Sequence, residues 1–527
     1  MKKRNWIIPI IALSSVFWSC STDTPSAPAE TPSQSYAAEN STPAEEQESD
    51  TGKGVALISI ETKNKADNVM DFVEKPVAPH VAADIATWTP NYEMPPAPYY
   101  EDCLVTVKDK NDNITIENAD AKVKVRGNWT TTYDKKPLRI KFVEKRNMLG
   151  LNDGAEMKNW VLLAEYKDGS MLRDKAALEI ARGLLEEDGL YASDAEFAEV
   201  EINGEYWGMY LLAELQQINP NRVNITEPAT VDYAGTDIGY FLEFDGYFDD
   251  EPELQMFHVD YADNAPLVPF DGEGGSGREM TCLPEGRGDY RNDIGVTIKN
   301  DIISQEQHDF ISSFVNNTYK IMYEAAYNDA AYVFSDDYSE IVPTSDITPF
   351  EAVDKVVNLE SLADMYIISE ITCDADIYWS SFFMTADFGE TGDKKLTFTA
   401  PWDFDSAMGN KDRCADSTGL YAANIVPDVN GEYETINPWL AVLMYEEWFT
   451  DIIRENWTEA YNSGIFTNAC DMIKADTAEY TAAFNRNYTR WNNILKNDAF
   501  KMELSKKAKN KGSCKLNVVK AFIPAPK

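Results

Sequence analysis

The chain reads as an α+β protein, a β-rich half followed by a mainly helical half. Three observations predict it: short alternating apolar segments up to Phe244, helix-spaced apolar runs beyond Ile302, and no internal repeat. With 44% hydrophobic and 12% aromatic residues among 527, a substantial core is expected.

The β character begins at Val55-Ala-Leu-Ile-Ser-Ile60 and recurs at 104–107, 114–116 and 123–125, with Asn/Asp turns between. Within 170–185, Leu172, Ala176 and Arg182 recur at helical spacing. Strands return at 197–202 and 206–212 around Asn203-Gly204, a hairpin turn, and again at Tyr240-Phe-Leu-Glu-Phe244. A loop-rich insert follows over 245–293. The clearest helices lie in 361–371 and 439–495.

Both chain ends differ from this body. Met1-Lys2-Lys3-Arg4 precedes an apolar run from Trp6 to Trp18 that is too short to span a bilayer, the pattern of a secretory signal over 1–20. Phe17-Trp-Ser-Cys20 looks like a bacterial lipobox with aromatics in place of its usual Leu and small residue, which makes Cys20 the expected lipidation site and membrane the expected partner. Residues 21–53 are rich in Ser, Thr, Pro, Ala and Glu and are expected to form a flexible tether. At the other end, 501–527 carries eight lysines against one acid, Glu503, a tail suited to anionic lipid or to solvent. The folded body then divides at about residue 235, into 54–235 and 236–500.

Charge excludes one class of partner. A formal net charge of −42 argues against nucleic acid, whose phosphate backbone calls for a basic face, so none is expected as a partner. The three histidines, His80, His258 and His308, stand apart from zinc-ligand spacing, which argues against zinc chemistry and Ser-His-Asp hydrolysis. Beyond Cys20 there are six cysteines without a CxxC pair. In an exported chain they allow up to three disulfides in fifteen connectivities, or six free thiols.

Two constellations can carry chemistry. The stretch 122–146 gathers Lys122, Lys124, Arg126, Lys135, Lys136, Arg139, Lys141, Lys145 and Arg146 against only Asp134 and Glu144. Strand alternation places Lys122, Lys124 and Arg126 on one face and Arg139 with Lys141 on another, where they can clamp phosphates or form a solvated strand face. The second constellation is Pro401-Trp-Asp-Phe-Asp405: on an extended backbone Asp403 and Asp405 point the same way, a pair suited to a hard cation such as Mg²⁺. Asp374 and Asp376 end an apolar helix upstream, and either can take a proton from a hydroxyl while the pair holds metal. Glu214, closing Tyr210-Leu-Leu-Ala-Glu214, can hold a phosphate-contacting lysine.

Three other matches carry little. Gly272-Glu-Gly-Gly-Ser-Gly277 fits GxGxxG but lies among prolines with no strand before it or helix after it. Asp109, Asn111 and Asn113 begin like a calcium loop, yet Ile114 and Asp120 stand where Gly and Glu are needed, so a hairpin turn is expected. Arg287-Gly-Asp289 is a three-residue coincidence.

Five ordered blocks resemble the spore-coat protein H (CotH) family of atypical, secreted protein kinases. They are Arg126-Gly-Asn-Trp with Lys135-Lys-Pro-Leu-Arg-Ile-Lys-Phe142; Asn159-Trp-Val-Leu-Leu163 with Met171-Leu-Arg-Asp174; 203–214; Tyr240-Phe-Leu-Glu-Phe-Asp245; and Pro401-Trp-Asp-Phe-Asp405 with Gly409-Asn410. The resemblance implies an atypical protein-kinase-like bilobal fold, with a β-rich N-terminal lobe and a mainly helical C-terminal lobe. It also implies use of ATP with Mg²⁺ or Mn²⁺ and phosphorylation of Ser or Thr on exported proteins. By position, Lys141 or a neighbour among Arg126, Lys136 and Arg139 would meet the nucleotide phosphates and Glu214 would support it. Asp376, or Asp374, would be the base, and Asp403 and Asp405 would bind metal. The chain departs from the family at Asp174, where Asn is common, and at Ser380-Ser381. The competing expectation is a non-catalytic surface module that binds a protein or cell-wall polymer.

Overall fold

Seven strands close into a barrel: β1 (Ala56–Thr62), β2 (Glu101–Lys108), β3 (Ile114–Val125), β4 (Leu138–Arg146), β5 (Met157–Leu163), β6 (Ala195–Ile202) and β7 (Glu205–Glu214), of which β2 to β4 alternate buried and exposed residues while β5 to β7 are covered on both faces over much of their length. The order around it is β1-β2-β3-β4-β5-β7-β6, and β6 returns to β1 in parallel, from Ala56 opposite Ala198 to Ile60 opposite Ile202. All other barrel pairs are antiparallel. Closure leaves no free edge in this sheet, where the segment pattern alone had indicated only a sheet. Ile58, Ile60, Val105, Val123, Leu138, Ile140, Trp160, Val200 and Leu212 are buried in its core.

The structure, a computed structural model, describes residues 54–272, 279–282, 294–374, 376–411, 420–427 and 434–491. The signal, Cys20, the tether, most of the glycine-rich stretch 272–277, Arg287-Gly-Asp289, Cys414, Cys514 and the lysine tail lie outside the described residues. Among those described, no disulfide joins Cys103, Cys282, Cys373 and Cys470. No described helix is long and apolar enough to cross a membrane.

Turn chemistry follows the sequence. Asn203 and Gly204 both take positive φ, as a two-residue hairpin between right-twisted strands requires. Between β2 and β3, Asp109 Oδ1 accepts from the Asn111 and Asn113 amides, so the would-be calcium loop is a hairpin turn. Two short helices, α1 (Asp71–Glu74) and α2 (Pro79–Trp88), fill the β1–β2 connection, and α3 (Arg173–Leu185) joins β5 to β6.

The second half is not purely helical. A five-stranded antiparallel sheet has the order β14-β13-β8-β10-β9, built from β8 (Gly239–Asp245), β9 (Met256–Phe257), β10 (Gly295–Ile298), β13 (Phe382–Asp387) and β14 (Leu396–Phe398). A separate hairpin pairs β11 (Ala331–Phe334) with β12 (Ile341–Thr344). The insert after Phe244 thus contributes β9 to the sheet, and Phe382 and Phe383 begin a strand that pairs along β8. Around it are α4 (Tyr261–Asn264), α5 (Gln305–Asn328), α6 (Pro349–Asp354), α7 (Leu359–Thr372), α8 (Pro438–Ala441), α9 (Glu447–Ser463) and α10 (Ile465–Arg490). Helix α5 starts on a reciprocal Ser304/Gln307 capping box. Helix α7 is buried nearly all round, its polar Ser361, Asp364, Ser369 and Thr372 included. Its start is pinned to β14 by Asn358 N to Leu396 O (2.9 Å) and Phe398 N to Ser361 Oγ (3.0 Å).

Helix α10 returns to the barrel. Phe197 meets Tyr480 and Phe484 edge-on, and Asn487 Oδ1 accepts from the Met209 amide at 3.1 Å. Gly208 permits this approach: its φ is +138°, and a Cβ there would lie 2.8 Å from Asn487 Oδ1 and 2.9 Å from Trp491 Nε1.

Two outcomes follow. Gly208→Ala should lower the thermal midpoint more than Gly189→Ala, whose φ is also positive but whose Cβ would meet nothing within 4 Å; overpacking adds about 1–3 kcal/mol to the shared backbone cost. Equal shifts in paired melting curves would show that α10 does not depend on that approach. The second concerns Asp364 on α7, which accepts from Asn456 Nδ2 on α9 at 2.9 Å and is pushed up to about 7, chiefly by burial. A carboxyl raised above its unfolded value stabilises most below the unfolded pKa, and that stability is lost as pH rises through about 7. Asp364→Asn should therefore raise the midpoint by roughly 2–5 °C at pH 8 relative to its effect at pH 5, measured by circular dichroism melts at both pH values.

Candidate active site

The acidic motif does not stay extended. After β14, Ala400 and Asp403 both take left-handed backbone (φ 54° and 67°), and Phe404–Ser406 forms a single 3₁₀ turn. The turn still aims both carboxylates to one side. Its conformation is fixed from behind: Trp402 and Phe404 are buried, the Phe404 amide donates to Asp174 Oδ1 at 2.7 Å, and the Asn410 amide side chain donates to Asp405 O at 2.6 Å.

The other acids arrive from α7. That helix ends where Cys373 turns left-handed, and Met408 N donates to Thr372 O at 2.6 Å, tying the two loops together. Asp374 is 4% exposed and its Oδ1 accepts from the Asp376 amide at 3.0 Å, so it shapes the turn. Asp376 is the member that reaches the pair. One carboxylate oxygen each from Asp376, Asp403 and Asp405 lie within 4.8 Å of one another. Burial, then the nearby Asp405 and Asp376 charges, push the Asp403 carboxyl well above the usual range.

Cations meet these acids from the barrel side. Arg126, just past β3, stacks its guanidinium over Trp402 at 5.7 Å and lies in the field of Asp403. Lys167, in the loop from β5 to α3, sets its Nζ 2.7 Å from Asp405 Oδ1 and donates to Ser406 Oγ at 2.6 Å. The loop beneath is locked by Asp168, which accepts from the Ser170, Leu172 and Arg173 amides and pairs with the Arg173 guanidinium. Arg173 Nε in turn donates to Ala407 O at 3.1 Å, so this buried pair also grips the acidic turn. Removing one partner of such a pair costs roughly 3–5 kcal/mol. Behind Asp174, Glu165 is buried and its carboxyl is raised well above the usual range by burial and then by Asp174 and Asp168, while burial and Asp405 push Asp174 up to about 7.

The basic stretch divides. Lys122 stands opposite Lys141 and Lys124 opposite Arg139 on the outer face, as alternation predicts. Arg139 donates to Asn159 Oδ1 through Nε (3.1 Å) and a terminal nitrogen (2.8 Å). Lys141 is exposed, and since Arg126 N bonds Pro137 O, it sits roughly 13 Å along β4 from the level of Arg126. Lys136 turns inward to the carbonyls of Thr131 and Tyr133, because 127–137 is a loop in which strand alternation does not apply, and burial lowers it to about 8. Lys135 is wholly buried on the Ala164 and Met209 carbonyls and over the Tyr210 ring, and burial lowers it to about 7. Glu214 pairs with Arg222 at 2.9 Å, both side chains out of water, and also accepts from Asn152 Nδ2; its cation is therefore Arg222 rather than a lysine of the basic stretch.

Sequence reasoning missed Lys167, Glu165 and the Asp168–Arg173 lock. Glu165, Lys167 and Asp168 lie in Glu165-Tyr-Lys-Asp-Gly-Ser170, which has no helical or strand period, so only its cluster of charges within a short loop marked it. On the far side of Asp376, Trp379 N donates to Asp376 O at 2.8 Å. The Trp379 indole meets Tyr247 edge-on, and Tyr247 in turn meets His80 of α2.

No curated protein matches the chain. The family model described as CotH kinase protein matches residues 123–511, a span that includes the acidic turn, Lys167 and Arg126 but leaves out β1, α2 and β2. A match over most of the chain establishes that the chain belongs to the CotH kinase family.

Proposed function

We propose that this chain is a protein kinase that moves the γ-phosphoryl group of ATP onto Ser or Thr hydroxyls of exported or surface proteins. It works from a two-lobed, kinase-like frame whose first lobe is the barrel. The observation that carries the reading is the convergence of Asp376, Asp403 and Asp405 beside Lys167 and Arg126 in a member of a kinase family.

The acids fit a hard divalent cation. Three carboxylate oxygens within 4.8 Å can belong to one coordination shell, whose donors sit about 2.0–2.1 Å from Mg²⁺. Asp403 and Asp405 hold the metal. When bound, Mg²⁺ or Mn²⁺ and ATP supply charge neutralisation and the transferable group. Arg126 orients the phosphates from the barrel side, with Arg139 further along the same face. Asp376, at the rim, accepts the proton of the incoming hydroxyl, and Asp374 holds its backbone in place. Trp402 and Phe404 keep water from the acids' inner side, which strengthens each charge interaction. The signal over 1–20 and a lipid on Cys20 place this chemistry at the periplasmic or cell-surface side of a membrane.

The chain lacking residues 1–20 should transfer labelled phosphate from ATP to a Ser/Thr protein acceptor with Mg²⁺ or Mn²⁺. Asp403→Asn should reduce transfer by about 10²-fold or more. Arg126→Ala should cost far more than Lys141→Ala, which is expected within about threefold of the parent because an exposed cation contributes little. Transfer that survives Asp403→Asn would overturn the assignment. No transfer, together with no melting shift on adding ATP and metal, would favour a non-catalytic binding module.

A further inference from the structure

Lys167 is the cation closest to the acids, and nothing in the reaction outlined above employs it. Its side chain is 10% exposed, and it has two partners: Asp405 Oδ1 at 2.7 Å and Ser406 Oγ at 2.6 Å. The backbone beneath it is immobilised by the Asp168–Arg173 lock, whereas the side chain is long and has a second acceptor one residue beyond Asp405. Lys167 contacts one of the three carboxylates that meet within 4.8 Å, and Arg126 lies in the field of another, Asp403. A divalent ion entering the group would compete for the Asp405 oxygen that Lys167 occupies.

We infer that Lys167 is the resident counter-ion of the acid group: it holds Asp405 in the metal-free protein, yields that oxygen to an entering divalent cation, and remains on the buried Ser406 hydroxyl beside it. There it meets the phosphate that accompanies the metal, a step that rests on the kinase reading above. The exchange itself does not rest on it. The device lets a water-poor cluster of acids stay folded without metal and gives the displaced charge a second use.

The exchange is tested with Mn²⁺ alone, by following the free-ion electron paramagnetic resonance signal on the chain lacking residues 1–20. Lys167→Met removes the competitor and should bind Mn²⁺ at least about tenfold more tightly than the parent. It should also lose the gain in Mn²⁺ affinity that added ATP gives the parent. Lys167→Arg keeps the charge and should stay within about threefold of the parent. Ser406→Ala removes the second seat and should weaken Mn²⁺ binding. An ordinary structural ion pair predicts the reverse for Lys167→Met, weaker metal binding together with a lower melting temperature, and that result overturns the inference. If Lys167→Met does not fold, unchanged Mn²⁺ affinity in Ser406→Ala overturns it instead. Because metal binding is read without ATP or acceptor, a protein that passes this test but transfers no phosphate would defeat the kinase reading and leave the exchange standing.

Discussion

Burying like charges within a few ångströms of each other is the constraint around which this structure is arranged. Asp403, Asp405, Asp174 and Glu165 lie in each other's fields with little water between them. Unpaired, such a group would drive the loops apart. The structure balances it with cations delivered from elements that are far apart in sequence: Lys167 from the β5–α3 loop, Arg126 from the end of β3, and the Asp168–Arg173 pair that clamps the acidic turn by its backbone. The site therefore exists only where barrel, α3, α7 and the turn after β14 meet.

Much of this frame was legible because it rests on local rules. Alternation located the barrel strands other than β5 and the shared faces of Lys122 with Lys124 and of Arg139 with Lys141, and helical spacing located α3, α7, α9 and α10. Closure of the barrel was not legible, since it depends on β1 meeting β6 across more than a hundred residues, and a period of two says nothing about partners. For the same reason the pairing of β13 with β8 and β14 was not legible.

At the site, residue type was more informative than geometry. Asp403 and Asp405 converge, as their spacing predicts for an extended strand, yet they do so on a left-handed residue and a 3₁₀ turn. Membership of the basic stretch misled for Lys136, which serves its own loop, and for Glu214, whose buried partner is Arg222, eight residues further on. Lys167 was invisible because nothing periodic surrounds it. Asp374 and Asp376, equivalent in sequence, are separated by burial alone: one faces the backbone of the turn, the other the acids.

The seat of α10 on β7 bears on how the chain must fold. The first strand pairs with one that follows it by about 140 residues, and the last described helix closes against Gly208 and Phe197 of the same barrel. Contacts of such long sequence separation make folding slow and leave no early fragment that can bury its own surface. The last described helix also braces the loop that carries Lys167, because the Tyr488 hydroxyl donates to Gly169 O at 2.8 Å. An incompletely made chain would carry the residues of the site without the site.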